Sequence, residues 1–311
     1  MTLVGAVQAG SLIFDTPATL DKLDRLVAEG ASLGAELLVF PEAFVGGYPK
    51  GHGFGAVVGM RSDEGRDWFR RYHDSAIDLP SVESDRIGAA AREHGVNLVV
   101  GIIEREGGTL YCTIVFYDKA GSLLGKHRKL MPTAAERLIW GFGDGSTMPV
   151  VDSSVGRIGA AICWENYLPL YRTALYDKGI EVWCAPTVDD RERFAITMRH
   201  IAIEGRCFVV SAGQYTVRSD YPDDYETGFG NDPETVLIRG GSCIVGPDGE
   251  FLAAPHRDGE TILIADVDLG EIARGKFDLD VVGHYARPDV FRLEINETPQ
   301  VAVRSTEWRE Q

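Results

Sequence analysis

Three polar side chains stand at or near the ends of apolar strands: Glu42, Lys129 and Cys163. A thiol at the end of a buried strand is a candidate nucleophile, because such a turn aims it from a rigid scaffold into a pocket. It needs a base to take its proton, and donors to stabilise charge that builds on the substrate. Glu42 supplies a carboxylate for the first task. Lys129 supplies a compact ammonium with three donors for the second. The backbone N–H of Trp164, directly after the thiol at a helix start, is a further donor. A histidine base is the rival arrangement. His52, His73, His94, His127, His200, His256 and His284 are the candidates, none at a clear strand end, and His127 stays open.

The elements around these residues follow from their patterns. Val155 to Ile162 is small and β-branched, with Arg157 its one charge, as in a strand of a parallel sheet buried on both faces. Asn166 to Lys178 then shows helical spacing, so Cys163 sits where a strand hands over to a helix. Glu36 to Glu42 reads as another buried strand, followed by a loop rich in turn formers, Gly46 to Gly53. Asp63 to Ser75 and Glu83 to His94 read as helices. Val96 to Glu104 and Leu110 to Asp118 read as strands, with Lys119 to Ser122 as a hairpin turn. Lys126 to Lys129 is a basic run of the kind usually found on a solvated face. Ile180 to Ala185 is a strand ending at Pro186 and Thr187. A helix over Asp190 to Gly205 and a strand over Cys207 to Ala212 follow. The acidic, turn-rich stretch from Arg218 to Pro233 reads as an exposed insertion. Gly246 to Gly249 is a hairpin turn and Thr261 to Val267 a strand. Strands alternate with helices in two roughly similar halves, which predicts an α/β fold with two sheets inside and helices outside.

Composition narrows the function. The net charge of -16 disfavours nucleic acid and anionic membranes as partners. The five cysteines form no C-x-x-C pair, so no zinc ribbon or thioredoxin-like motif is expected. No apolar stretch approaches a membrane span, and the first residues lack the pattern of a secretory leader. A reduced, cytoplasmic protein is expected.

The blocks VFPEAFVGGYP, GKHRKLMPTAAERLIWGFGDGS and GAAICWENYLPLYRTALY resemble the nitrilase branch of the carbon–nitrogen hydrolase superfamily. The resemblance runs from about Leu3 to Pro288, and the Cys-Trp-Glu-Asn form is most similar to nitrilases of the plant and bacterial aromatic or aliphatic type. It implies a four-layer α-β-β-α sandwich and a Glu-Lys-Cys triad, which falls on Glu42, Lys129 and Cys163, with Glu136 as a second glutamate. It implies hydrolysis of an organic nitrile to the acid and ammonia through thioimidate and thioester intermediates, with no metal or organic cofactor. An amidase, or a nitrile-hydrating enzyme that releases the amide, is the alternative.

Tyr48, Trp164, Pro186 and Thr187 are the candidate substrate-binding residues by their places in the Gly-rich loop and at strand ends, and Trp183 is a core candidate. A pocket apolar apart from the triad suits a nitrile, which bonds hydrogen poorly. His284, in the GHYARPD block, is expected to be structural or at an interface. Residues 1–290 are expected to form a single domain. Residues 291–311 are expected to form a tail, disordered or in oligomer contacts. By resemblance the chain self-associates, as a dimer or a longer spiral.

Overall fold

The computed structural model describes residues 2–303. Alternation sets the layers. In β1 (Thr2–Gln8), Val4 and Ala6 enter the central core while Val7 faces a helix layer. In β2 (Leu37–Val39), Leu37 and Val39 point inward and Leu38 outward. The same sheet takes β3 (Asn97–Glu106), β4 (Thr109–Tyr117) and β5 (Leu123–Arg128). The second sheet begins with β6 (Val150–Ser153), β7 (Gly156–Ala160), β8 (Val182–Thr187) and β9 (Phe208–Gly213). A ribbon of β10 (Tyr215–Val217) and β11 (Val236–Arg239) stands apart. The chain completes the second sheet with β12 (Ser242–Val245) and β13 (Phe251–His256), then returns to the first with β14 (Thr261–Val267).

Among the described residues, each of the two large sheets has six strands, in the orders β14-β1-β2-β3-β4-β5 and β13-β12-β9-β8-β7-β6. Starting from β14 in one sheet and from β6 in the other, the pairings run antiparallel, parallel, parallel, antiparallel, antiparallel in both. The two halves are therefore alike, as expected. Helices α1 (Thr16–Ser32) and α3 (Val82–His94) cover the outer face of the first sheet through Leu20, Leu23, Val27 and Ile87. Between them in sequence, α2 (Asp63–Ser75) packs Trp68 and Tyr72 into the central core. Helices α4 (Pro169–Asp177) and α5 (Glu192–Gly205) cover the second sheet through Tyr171, Leu175, Met198 and Ile201. A short α6 (Gly270–Asp278) follows β14. The result is an α-β-β-α sandwich whose middle layer is the two inner sheet faces.

Local chemistry explains the boundaries. Asp15 caps α1 by accepting from Ala18 N at 3.0 Å, with Pro17 in its first turn. Asp118 closes the β4–β5 hairpin by accepting from Ala120 N and Ser122 N at 2.9 and 2.8 Å.

Two expectations need correction. The basic run is not a solvated face: Lys126 to Arg128 lie in β5, and buried Glu104 binds Lys126 Nζ and Arg128 Nη2, each at 2.5 Å. The stretch from Arg218 to Pro233 is not wholly exposed: Arg218, Tyr221, Tyr225 and Thr227 are buried, while Asp223 and Asp224 face solvent. Compensating partners hide the charges in the first case; in the second, Tyr221 and Tyr225 pack into the core, and Arg218 donates to the carbonyls of Tyr221 and Asp223 at 3.1 and 3.0 Å.

Residues 279–303 hold no helix or strand. The described part of the expected tail is exposed, yet Glu297 pairs with Lys178, and Gln300 N donates to Asp144 Oδ2 at 2.7 Å. Its residues 304–311 lie outside the described residues. His284 is exposed and meets Tyr285 edge-on. Among the described residues, no helix is long and apolar enough to cross a membrane.

Candidate active site

Lys129 directly follows β5, and its N–H donates to Cys112 O at 2.8 Å, which keeps it in line with β4. Its side chain is buried between two carboxylates, with Nζ donating to Glu42 Oε1 at 2.6 Å and Glu136 Oε2 at 2.8 Å. Burial alone would pull the ammonium down, but Glu42 and Glu136 outweigh it and hold it well above its ordinary value. Glu42 sits on a turn just past β2. Burial raises it to about 7, against the opposing pull of Lys129. Its Oε2 is buried without a protein partner, and Cys112 Sγ lies 3.7 Å from Oε1.

The turn that carries Glu42 presses onto β3 at Gly101. A Cβ there would lie 2.1 Å from Pro41 O and 2.8 Å from Glu42 Cα, so no side chain fits. Gln214, directly after β9, reaches across with Nε2 to donate to Glu42 O at 2.7 Å. Glu136 lies on the 3-10 turn Ala134–Leu138, where Oε2 accepts from Thr133 N at 2.6 Å and Oε1 from Tyr48 OH at 2.9 Å.

Cys163 opens the 3-10 turn Cys163–Tyr167, which links β7 to α4. Its φ of 50° is in the left-handed region, unfavourable for a residue with a Cβ. The next residues hold it there. Glu165 Oε2 accepts from Ile162 N at 2.8 Å. Asn166 Nδ2 donates to Cys163 O at 2.7 Å and to Ala161 O at 3.0 Å, and Trp183 Nε1 donates to Asn166 Oδ1 at 2.8 Å. Trp183 is thus a core residue with a polar duty. Glu165 Oε1 accepts from Leu130 N at 2.6 Å, which ties the thiol's turn to the segment bearing Lys129.

His127 is committed elsewhere. Its Nε2 lies 2.8 Å from Glu165 Oε2 and its Nδ1 2.6 Å from Thr147 O, so it braces Glu165 and is not aimed at sulfur. Thr187 Oγ1 donates to Cys163 Sγ at 3.2 Å. Burial pushes the thiol well above its ordinary value, and Glu42 adds to the push.

A cavity of about 300 Å³ opens onto Cys163 and Glu136. Tyr48, Thr133, Trp164 and Val188 line it, as do the charged Lys50, Asp189, Asp190 and Arg191. The expected apolar pocket is therefore polar on one side. Trp164 is held by its Nε1, which donates to Asp189 Oδ2 at 2.8 Å, and Arg191 lies over its ring at 5.1 Å. Pro186 does not line the cavity, because it is buried within β8 opposite Ala212. Thr187 faces sulfur and is not in the cavity wall. A second hollow of about 400 Å³, with Phe54, Ile139 and Trp140 in its wall, adjoins across Tyr48 and Glu136. A larger one, about 570 Å³ beside Phe14, Arg71 and Tyr221, holds none of these groups, so size does not locate the site.

The buried expected insertion also serves the site. Tyr221 OH donates to Tyr48 O at 3.2 Å and Tyr225 OH to Lys50 O at 3.1 Å, which pins the Gly-rich loop over the cavity.

A model of the carbon-nitrogen hydrolase family matches residues 3–277. The chain belongs to the carbon–nitrogen hydrolases. Within them it falls among proteins named as nitrilases. It is 57% identical over 295 residues to a bifunctional nitrilase/nitrile hydratase of Nicotiana tabacum, covering 94% of this chain and 85% of that one. It is 58% identical over 297 residues to a nitrilase of Bradyrhizobium diazoefficiens, covering 96% and 92%. The carbon-nitrogen hydrolase structure from Helicobacter pylori G27 shares the fold, with a TM-score of 0.72 at 21% identity over 93% of this chain and 96% of that one.

In this hydrolase, the sequence reading passes over Glu165, Asn166, Asp189 and Arg191, and it weighs His127 only as a base, not as the brace of Glu165. The signal for the first two is visible: a carboxylate and an amide follow the thiol directly, at a strand-to-helix turn whose backbone groups need partners. Asp189 and Arg191 carry no comparable sign.

Proposed function

We propose that this enzyme is a nitrilase that converts an organic nitrile to its carboxylic acid and ammonia through Cys163. The observation that carries it is the buried Glu42–Lys129–Glu136 chain beside a thiol that opens onto a cavity. Glu42, poised at about 7, is suited to take the thiol proton as sulfur adds to the nitrile carbon. The nitrogen gains that proton, giving a thioimidate. Water, deprotonated by Glu42, adds to form a tetrahedral intermediate whose charge Lys129 and the Trp164 amide stabilise. Ammonia leaves, and a second water releases the acid from the thioester. Glu136 positions Lys129 and Tyr48. The cavity, through Tyr48 and Trp164, receives the rest of the substrate. The reaction as written draws on these side chains and on no cofactor.

A second reading, amide release from the same intermediate, is supported by the bifunctional name of the tobacco relative. An amidase is the remaining variant. The test is product analysis on a nitrile panel, with Cys163→Ala alongside. Acid and ammonia in equal amounts, absent in the variant, are expected. Amide as the main product favours the hydratase reading, and turnover of amides but of no nitrile replaces both with an amidase.

Residues 1–290 are read as one domain, because the site draws on both sheets. Self-association is part of the proposal. Leu170 on α4 and Ile196 on α5 are 69% and 65% exposed, so these helices offer an apolar face to a second copy. Light scattering at micromolar concentration checks it. The five free, buried cysteines suit a reducing compartment such as the cytoplasm.

A further inference from the structure

We infer that Thr187 is a catalytic residue whose hydroxyl stabilises negative charge on the Cys163 sulfur and so sets how much amide the enzyme releases. The inference rests on nitrile addition at Cys163. Thr187 ends β8, paired with Gly213 of β9, and is buried. Its Oγ1 accepts from Asp189 N at 2.9 Å and donates to Sγ at 3.2 Å. A hydroxyl carries one proton. With the Asp189 N–H pointing into the oxygen, that proton is turned towards sulfur. Asp189 is itself held by Trp164 and Arg191, so the orientation is built in.

The consequence lies at the tetrahedral intermediate, where carbon bears OH, NH2 and sulfur. On one branch the C–N bond breaks with its electron pair going to nitrogen, the hydroxyl proton passes by way of Glu42 to that nitrogen, and ammonia departs, leaving the thioester. On the other the C–S bond breaks, its electron pair goes to sulfur, and the hydroxyl proton goes to Glu42, leaving amide. Only the second branch returns charge to Sγ at this step. Sulfur bonded to carbon is a weak acceptor, whereas thiolate is a strong one. The Thr187 bond therefore strengthens along the amide branch and not along the ammonia branch.

The test compares Thr187→Val and Thr187→Ala, which lack the donor, with Thr187→Ser, which keeps it. Iodoacetamide alkylation of Cys163, located by mass spectrometry, needs no nitrile. The donor-less variants are expected to react about tenfold more slowly at neutral pH, the effect of one hydrogen bond to a charged acceptor, and Thr187→Ser within about twofold of the parent. On a nitrile the amide share is expected to fall several-fold in the donor-less variants and to recover in Thr187→Ser. Equal alkylation rates, an amide share unchanged without the hydroxyl, or a parent that turns over nitrile without measurable amide would each overturn the inference. A parent that turns over no nitrile defeats the nitrilase reading instead, and the alkylation rates still judge Thr187.

Discussion

At the scale of single residues, burial and opposite charge act against each other in the candidate site. Glu42 is fully buried, and that burial opposes its charge while the Lys129 ammonium favours it. A base held at about 7 is protonated as pH falls. We therefore expect kcat/KM to drop below about pH 7, approaching tenfold per unit, and to level off above it. A pH profile on one nitrile checks this. Glu42→Gln keeps the volume but cannot accept the proton, and kcat should fall about 10²–10⁴-fold. These two residues are legible because each breaks an apolar pattern: Glu42 after LLVFP, Cys163 after GAAI. The electrostatic partners of the thiol were less legible. Thr187 ends a strand as many threonines do, and its bond to sulfur depends on a strand distant in sequence. Pro186 shows the reverse error, since standing at a strand end does not make a residue face the cavity.

At the scale of elements, the strand-to-helix turn at Cys163 stores strain that its neighbours offset. Replacing a left-handed residue by glycine removes the Cβ clash, so Cys163→Gly should be more stable than Cys163→Ala by about 1 kcal/mol in urea denaturation. The brace beneath the turn is the buried His127–Glu165 pair. Burial opposes charge on His127, but Glu165 outweighs it and holds His127 above its ordinary 6.5. That stabilisation is full below the unfolded value and fades as pH rises through the raised folded value. Glu165→Gln should cost about 3–5 kcal/mol near pH 6 and less at alkaline pH, by denaturation at the two pH values. Gly101→Ala should leave the sheet intact by circular dichroism but lower kcat at least about tenfold, because the clash falls on the turn that places Glu42. Helix α2 and strand β14 were read from sequence with the bounds they have here. Strand β5 was not, because its charges are satisfied by Glu104, and a pattern of polarity cannot show a partner in another strand.

At the scale of the whole molecule, neither half holds the whole of the proposed site. Glu42 and Lys129 come from the first sheet, and Cys163 and Thr187 from the second. Leu130–Glu165 and Gln214–Glu42 bonds fasten the seam. Unfolding followed by fluorescence and by residual activity should therefore give superimposable urea curves. The layered plan was legible from the alternation of strands and helices, whereas strand order was not, because pairing across the chain leaves no local trace. One such pairing bears on how the protein is made. β1 sits inside its sheet between β2 and β14, and β14 is synthesised about 250 residues later, some 13–50 s at about 5–20 residues per second. For that interval the nascent chain offers a bare strand edge to any neighbouring ribosome's product. A ribosome stalled before Thr261 should then leave the β14-facing amides of β1 in rapid hydrogen exchange, and release of the full chain should close them.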